Sequence, residues 1–137
     1  MTATTSLTTP CAATARAALL AIPGVAIVDV RDPDTGFPVA LVQHRVRCLE
    51  VTSEPDGSFG ARFFLYGDAP LPLMEGGTLA QAYCAVADLL SRIGHLPAAP
   101  WTEELEAAER AAVAEVAVLH RPAEAEAAQL PLPALVH

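Results

Sequence analysis

The chain has 137 residues, 53% of them hydrophobic, and a formal charge of -8. That length and apolar content suit one compact domain with its own core and exclude a largely disordered chain. The acidic balance argues against general attraction to nucleic acid or an anionic membrane, which both require clustered positive charge. Only eight residues are basic, and all of them are arginines. The longest strongly apolar run, 17–28, is broken by Pro23-Gly24 and is shorter than the ~20 residues of a spanning helix. The first charge is Arg16, so the start lacks the basic cluster of a signal peptide. Cys11, Cys48 and Cys84 are odd in number, widely spaced and free of a C-x-x-C pattern, which fits reduced thiols and a cytoplasmic protein.

Residues 1–8 are small and uncharged and read as a disordered N-terminus; 9–120 then form a single domain. A first helix is expected from Thr9-Pro10 to Ile22, with proline in its first turn and Pro23-Gly24 as its stop. Val25 to Val30 is rich in β-branched residues and reads as a strand. Asp32-Pro33-Asp34-Thr35-Gly36 is a turn into a long second strand beginning near Phe37. The run from Val39 to Tyr66 then reads as a hairpin around Ser53-Glu54-Pro55-Asp56-Gly57, because side chains alternate on both sides of that turn signal. Residues 67–77, with Pro70, Pro72 and Gly76-Gly77, read as a loop.

Thr78 followed three residues later by Gln81 is a capping box, and Leu79, Ala82, Tyr83, Val86, Leu89, Leu90 and Ile93 trace one face of a second helix. Gly94 is expected as its left-handed stop. A third helix is expected from Thr102 to His120, with Glu103 and Glu104 complementing the dipole of its first turn. Its stripe of Leu105, Ala108, Ala112, Val116 and Leu119 is narrow. Residues 121–137 form a tail rich in proline, alanine and leucine, ending in Leu130-Pro131-Leu132-Pro133-Ala134-Leu135-Val136.

In the central hairpin, pairing Val46 with Phe63 and Cys48 with Ala61 places Val42, His44, Val46, Cys48, Phe59, Ala61, Phe63 and Leu65 on a core face. The opposite face then carries Gln43, Arg45, Arg47, Arg62, Phe64 and Tyr66. Leu49 and Val51 break the alternation, which implies a bulge or a strong twist before the turn. Arg47 opposite Arg62 is a like-charge pair that an anion, an acidic partner or the third helix has to neutralise. Arg45, Arg47, Arg62, Phe64 and Tyr66 are therefore the candidate binding patch, since arginine beside aromatics can contact phosphates and stack bases.

Other chemistry has less support. His44 and Cys48 on one strand face are ~13 Å apart at ~3.3 Å per residue, too far to share a zinc ion, so no metal is expected. The carboxylates at 32 and 34 with Gly36 superficially follow a calcium loop, but Gln43 stands where its bidentate glutamate belongs. Cys84 or Ser91 with Asp88 and His95 offers parts of a nucleophilic site, although a carboxylate one turn from the thiol works against a thiolate. No nucleophile elbow, phosphate loop or zinc-protease motif is present, so no catalytic residue and no cofactor is expected.

The expected architecture is α+β in two layers. A three-stranded antiparallel sheet carries helices on one face, in the order α-β-β-β-α-α, with the third helix and tail as an appendage. The run of helix, three strands and helix resembles the double-stranded RNA-binding fold in topology. That fold implies a basic cluster at the start of its second helix, where Gly76-Gly77-Thr78-Leu79-Ala80-Gln81 has no positive charge. The expected function is a non-catalytic protein interaction or assembly module, self-associating or part of a larger complex, with Leu130, Leu132 and Leu135 as interface candidates. The alternative is a nucleic-acid-binding or regulatory protein using the arginine and aromatic face. No membrane partner is expected.

Overall fold

The computed structural model describes residues 11–65, 69–96 and 100–121. Its elements run α1 (Ala12–Leu20), β1 (Val25–Arg31), β2 (Pro38–His44), β3 (Arg47–Ser53), β4 (Phe59–Phe64), β5 (Leu71–Gly77), α2 (Leu79–Ile93) and α3 (Glu103–Leu119). The class is α+β, but the sheet has five antiparallel strands rather than three, in the order β1-β2-β3-β4-β5. Each strand pairs with its neighbour in sequence.

Two of these strands differ from the expected reading for identifiable reasons. The segment 37–52 is not one strand: the chain reverses at Arg45-Val46, and His44 pairs with Arg47 across a two-residue link. Arg45 takes φ 58 there, a left-handed conformation that turns usually give to glycine or asparagine. With neither residue present, the turn carries no sequence signal. The second difference is β5, where Pro72 and Gly76-Gly77 point to a loop on composition alone. β5 is an edge strand, and an edge tolerates a proline because one of its sides has no ladder to donate to.

The reversal also moves the register. Leu49, not Val46, stands opposite Phe63, and Val51 opposite Ala61. The expected bulge before the 53–57 turn is absent from the β3–β4 ladder, whereas β4 and β5 are irregular around Ala61. Gly60 fits this irregularity, since a Cβ at that position would lie 2.9 Å from the Met74 carbonyl oxygen.

One face of the sheet supports the helices. Across it run the rows Ile27, Val42, Leu49, Phe63, Leu71 and Asp29, Ala40, Val51, Ala61, Met74. Leu19 of α1, Ala82, Val86, Leu89, Leu90 and Ile93 of α2, and Val113 and Val116 of α3 close the core above them. α2 starts as the capping box requires: Thr78 Oγ1 accepts from the Gln81 amide at 3.1 Å, and Gln81 Oε1 accepts from the Thr78 amide at 2.8 Å. It ends without the expected left-handed glycine, as Gly94 is right-handed at φ -61.

α3 is not an appendage. It packs on α2 and β5 and contributes Leu105, Ala112, Val113 and Val116 to the interior. Ala108 and Leu119 of its expected stripe are exposed, and the charged residue Glu109 is buried instead. A polar seam reinforces the helix pair, with Arg92 bridging Asp88 at 2.9 Å and Glu115 at 2.7 Å, and His120 meeting Asp88 at 2.8 Å. Partial burial works to raise the Asp88 carboxyl, yet the hydrogen bonds from Arg92 and His120 hold it below the usual range.

Candidate interaction surface

Among the described residues, no helix lies over the sheet's second face. Strand periodicity places three rows of side chains there: Ala26, Gln43, Cys48, Phe64; Val28, Leu41, Glu50, Arg62, Pro72; and Val30, Val39, Thr52, Gly60. Val28 is 51% exposed, Val30 39% and Phe64 36%. Beside the third row, the turns at 32–37 and 54–58 border a groove of about 410 Å³ lined by Phe37, Val39, Thr52, Arg62 and Glu75. Val39 and Thr52 are consequently buried, although they belong to the uncovered face.

The structure divides the expected arginine and aromatic patch. Arg62 and Phe64 do lie on the open face, as expected. Arg45 is exposed in the β2–β3 turn, beyond the sheet surface. Arg47 is on the opposite, helix-covered face and only 4% exposed. Tyr66, Leu130, Leu132 and Leu135 lie outside the described residues. Arg47 therefore does not stand against Arg62, whose cross-strand neighbour is Glu50. Arg62 Nε donates to Glu50 Oε1 at 3.1 Å, and its Nη2 donates to the same oxygen. The like-charge problem posed by the expected register is solved within the chain, by a cross-strand pair of opposite sign.

Arg47 has its own acid. Its Nε donates to Glu109 Oε2 at 2.7 Å, and both side chains are almost fully enclosed, at 3% and 1% exposure. An apolar periodicity along α3 passes over Glu109, because the stripe is defined by its hydrophobic members. The signal that could have found it is its place within that stripe, four residues after Leu105 and three before Ala112. His44 is buried directly opposite Arg47 in the hairpin, with Gly24 and Gly94 close to its ring. Burial holds its pKa below the ordinary value, and the positive charges of Arg45 and Arg47 act in the same direction.

Three buried atoms of this cluster, His44 Nδ1, Arg47 Nη1 and Glu109 Oε1, have no hydrogen-bond partner among the described residues. A cavity of about 70 Å³ lined by Val46, Arg47, Phe63, Phe64, Leu65 and Glu109 adjoins the pair. The cluster thus anchors α3 to the β2–β3 hairpin through charge, at the end of the sheet where Phe64 marks the open face.

Cys48 and Cys84 are not activated. Cys48 lies on the open face, where burial and then the nearby Glu50 push its thiol up; burial does the same for Cys84. Among the described residues, no group of three or more histidine, cysteine, aspartate or glutamate side chains could hold a metal ion, and no helix is long and apolar enough to cross a membrane. Comparison with protein-family models, with curated proteins and with solved structures gave no match for this chain.

Proposed function

We propose that this chain is a non-catalytic assembly module that binds a second copy of itself through the open face of its sheet. The observation that carries the reading is the contrast between the two faces. Three helices cover one, while the other leaves Val28, Val30 and Phe64 in contact with solvent. Apolar surface of that kind is what protein interfaces remove from water. The charged groups within it favour a protein partner over a phosphate backbone, because Glu50 already neutralises Arg62. The partner is a second copy because a face whose charges are internally balanced opposes no identical face electrostatically, even on a chain of net charge -8.

Sedimentation velocity from micromolar to submillimolar concentration tests the reading. The chain is expected to associate reversibly, and Phe64→Asp is expected to weaken that association by about tenfold or more, or ~1.4 kcal/mol. A strict monomer across the whole range would sink the proposal.

A further inference from the structure

The two edges of the sheet are built differently. β5 carries Pro72, two breaks in its register with β4, and the adjacent helix α3. Such features normally keep a sheet edge from pairing with another strand. β1 lacks the proline and the breaks: its register with β2 is unbroken over all seven residues, although α1 packs beside it and Arg16 of that helix holds the Asp29 carboxylate at 2.8 Å.

The direction of its backbone groups follows from one hydrogen bond. The Asp32 amide donates to the Phe37 carbonyl at 2.9 Å, which makes 32 and 37 a bonded pair continuing the β1–β2 register. Bonded and non-bonded pairs alternate along an antiparallel ladder. Ala26, Val28 and Val30 therefore spend their amides and carbonyls on β2, while Val25, Ile27, Asp29 and Arg31 turn theirs outward. Among the described residues, the one backbone bond recorded for these outward groups is a 3.2 Å contact from the Val25 amide to Ile22.

We propose that β1 pairs antiparallel with β1 of a second copy about a two-fold axis at Val28, joining the two sheets into one of ten strands. This inference rests on the self-association reading and adds to the open-face contact a separate one at the sheet edge, which leaves Phe64 uncovered. The register is selected by elimination. With the axis at Val28, Ile27 bonds with Asp29 of the second copy and Val25 with Arg31, so all four outward residues are paired. An axis at Asp29, whose carboxylate is already held by Arg16, sets Val25 against Pro33, which has no amide hydrogen to give. An axis at Ile27 sets Arg31 against Pro23, which has no amide hydrogen to give.

The Val28 axis also places Val28 directly against its symmetry mate at the close, non-bonded spacing of ~4.5 Å, flanked by Ala26 against Val30. The most exposed apolar side chains of the strand then cover one another. α1 packs against β1 on the helix-covered side of the sheet, away from these three side chains.

The test uses the full chain with the exposed Cys11 replaced by serine and Val28→Cys added. Cα atoms at the spacing of that axis lie within the roughly 4.4–6.8 Å that a disulfide spans. Mild oxidation is expected to convert the dimer to a disulfide-linked species. The Cys11→Ser parent, and the same parent with Val46→Cys in the 71% exposed turn position, are expected to remain unlinked. Val28→Lys is expected to raise the dissociation constant at least about tenfold while the circular dichroism spectrum of the monomer is unchanged. A dimer that resists Val28→Lys and stays unlinked in the Val28→Cys variant, yet yields to Phe64→Asp, overturns the β1 axis and leaves the open-face reading standing. A strict monomer overturns both.

Discussion

Two of the arginine–glutamate pairs of this molecule sit on opposite sides of the same sheet. Arg62 and Glu50 meet across β3 and β4 on the open face, with the arginine side chain 44% exposed; Arg47 and Glu109 meet between β3 and α3, both enclosed. The chemistry is the same and the consequences differ. In the more exposed pair, water screens the arginine and takes over when the contact breaks, although Glu50 itself is only 14% exposed. In the enclosed pair, the charges lost their water on folding, and each remains buried if the other is removed. The enclosed pair therefore specifies where α3 docks more than it adds to net stability.

The largest expected effect breaks the enclosed pair from one side. Glu109→Ala leaves Arg47 buried without its acid and is expected to lower unfolding free energy by ~3–5 kcal/mol in a denaturant titration. The double replacement Arg47→Met with Glu109→Leu is expected to recover most of that loss, or to exceed the parent, because it removes both desolvation penalties together. A double variant as unstable as Glu109→Ala would show that the pair itself, and not the stranded charge, supports the fold.

A second measurement concerns the neighbour of that pair. The His44 pKa is held below its ordinary value, so the unfolded chain takes up this proton at a higher pH than the folded one. Its contribution to stability is complete above the ordinary histidine value of 6.5 and is lost as the pH falls from there through the folded pKa. Melting temperature should therefore decline on acidification below that value, and His44→Leu should flatten the decline. An unchanged slope in the variant would remove His44 as the source of the decline.

The smallest effect belongs to the open face. Arg62→Ala is expected to cost less than ~1 kcal/mol, with the remainder screened by added salt. A loss as large as that of Glu109→Ala would erase the distinction between the two faces.

Sequence legibility follows the same division between local and distant causes. The capping box at Thr78 and Gln81, the Pro55-Asp56-Gly57 turn and the β-branched run of β1 are each determined by a few adjacent residues, and each is readable. The turn at Arg45 is not, because its left-handed backbone is imposed by the strands on either side rather than by the residue type. Without it, Arg47 falls on the wrong face and its pairing with Glu109, 62 residues away, is hidden. Arg62 and Phe64 are placed on the uncovered face correctly, since β4 follows a turn whose sequence announces it.

The link between β2 and β3 has a further consequence, which is one of parity. Successive strand residues face opposite ways, so the number of residues in a turn decides which side every later side chain takes. With two residues between His44 and Arg47, Leu49, Val51 and Phe63 fall inward, and Glu50 and Arg62 fall outward. One residue more or fewer, with β3 otherwise unchanged, would turn Cys48 and Glu50 toward the helices and Leu49 toward water. The sidedness of the molecule, and with it the separation of the Arg47 and Arg62 pairs, is counted out at Arg45 and Val46.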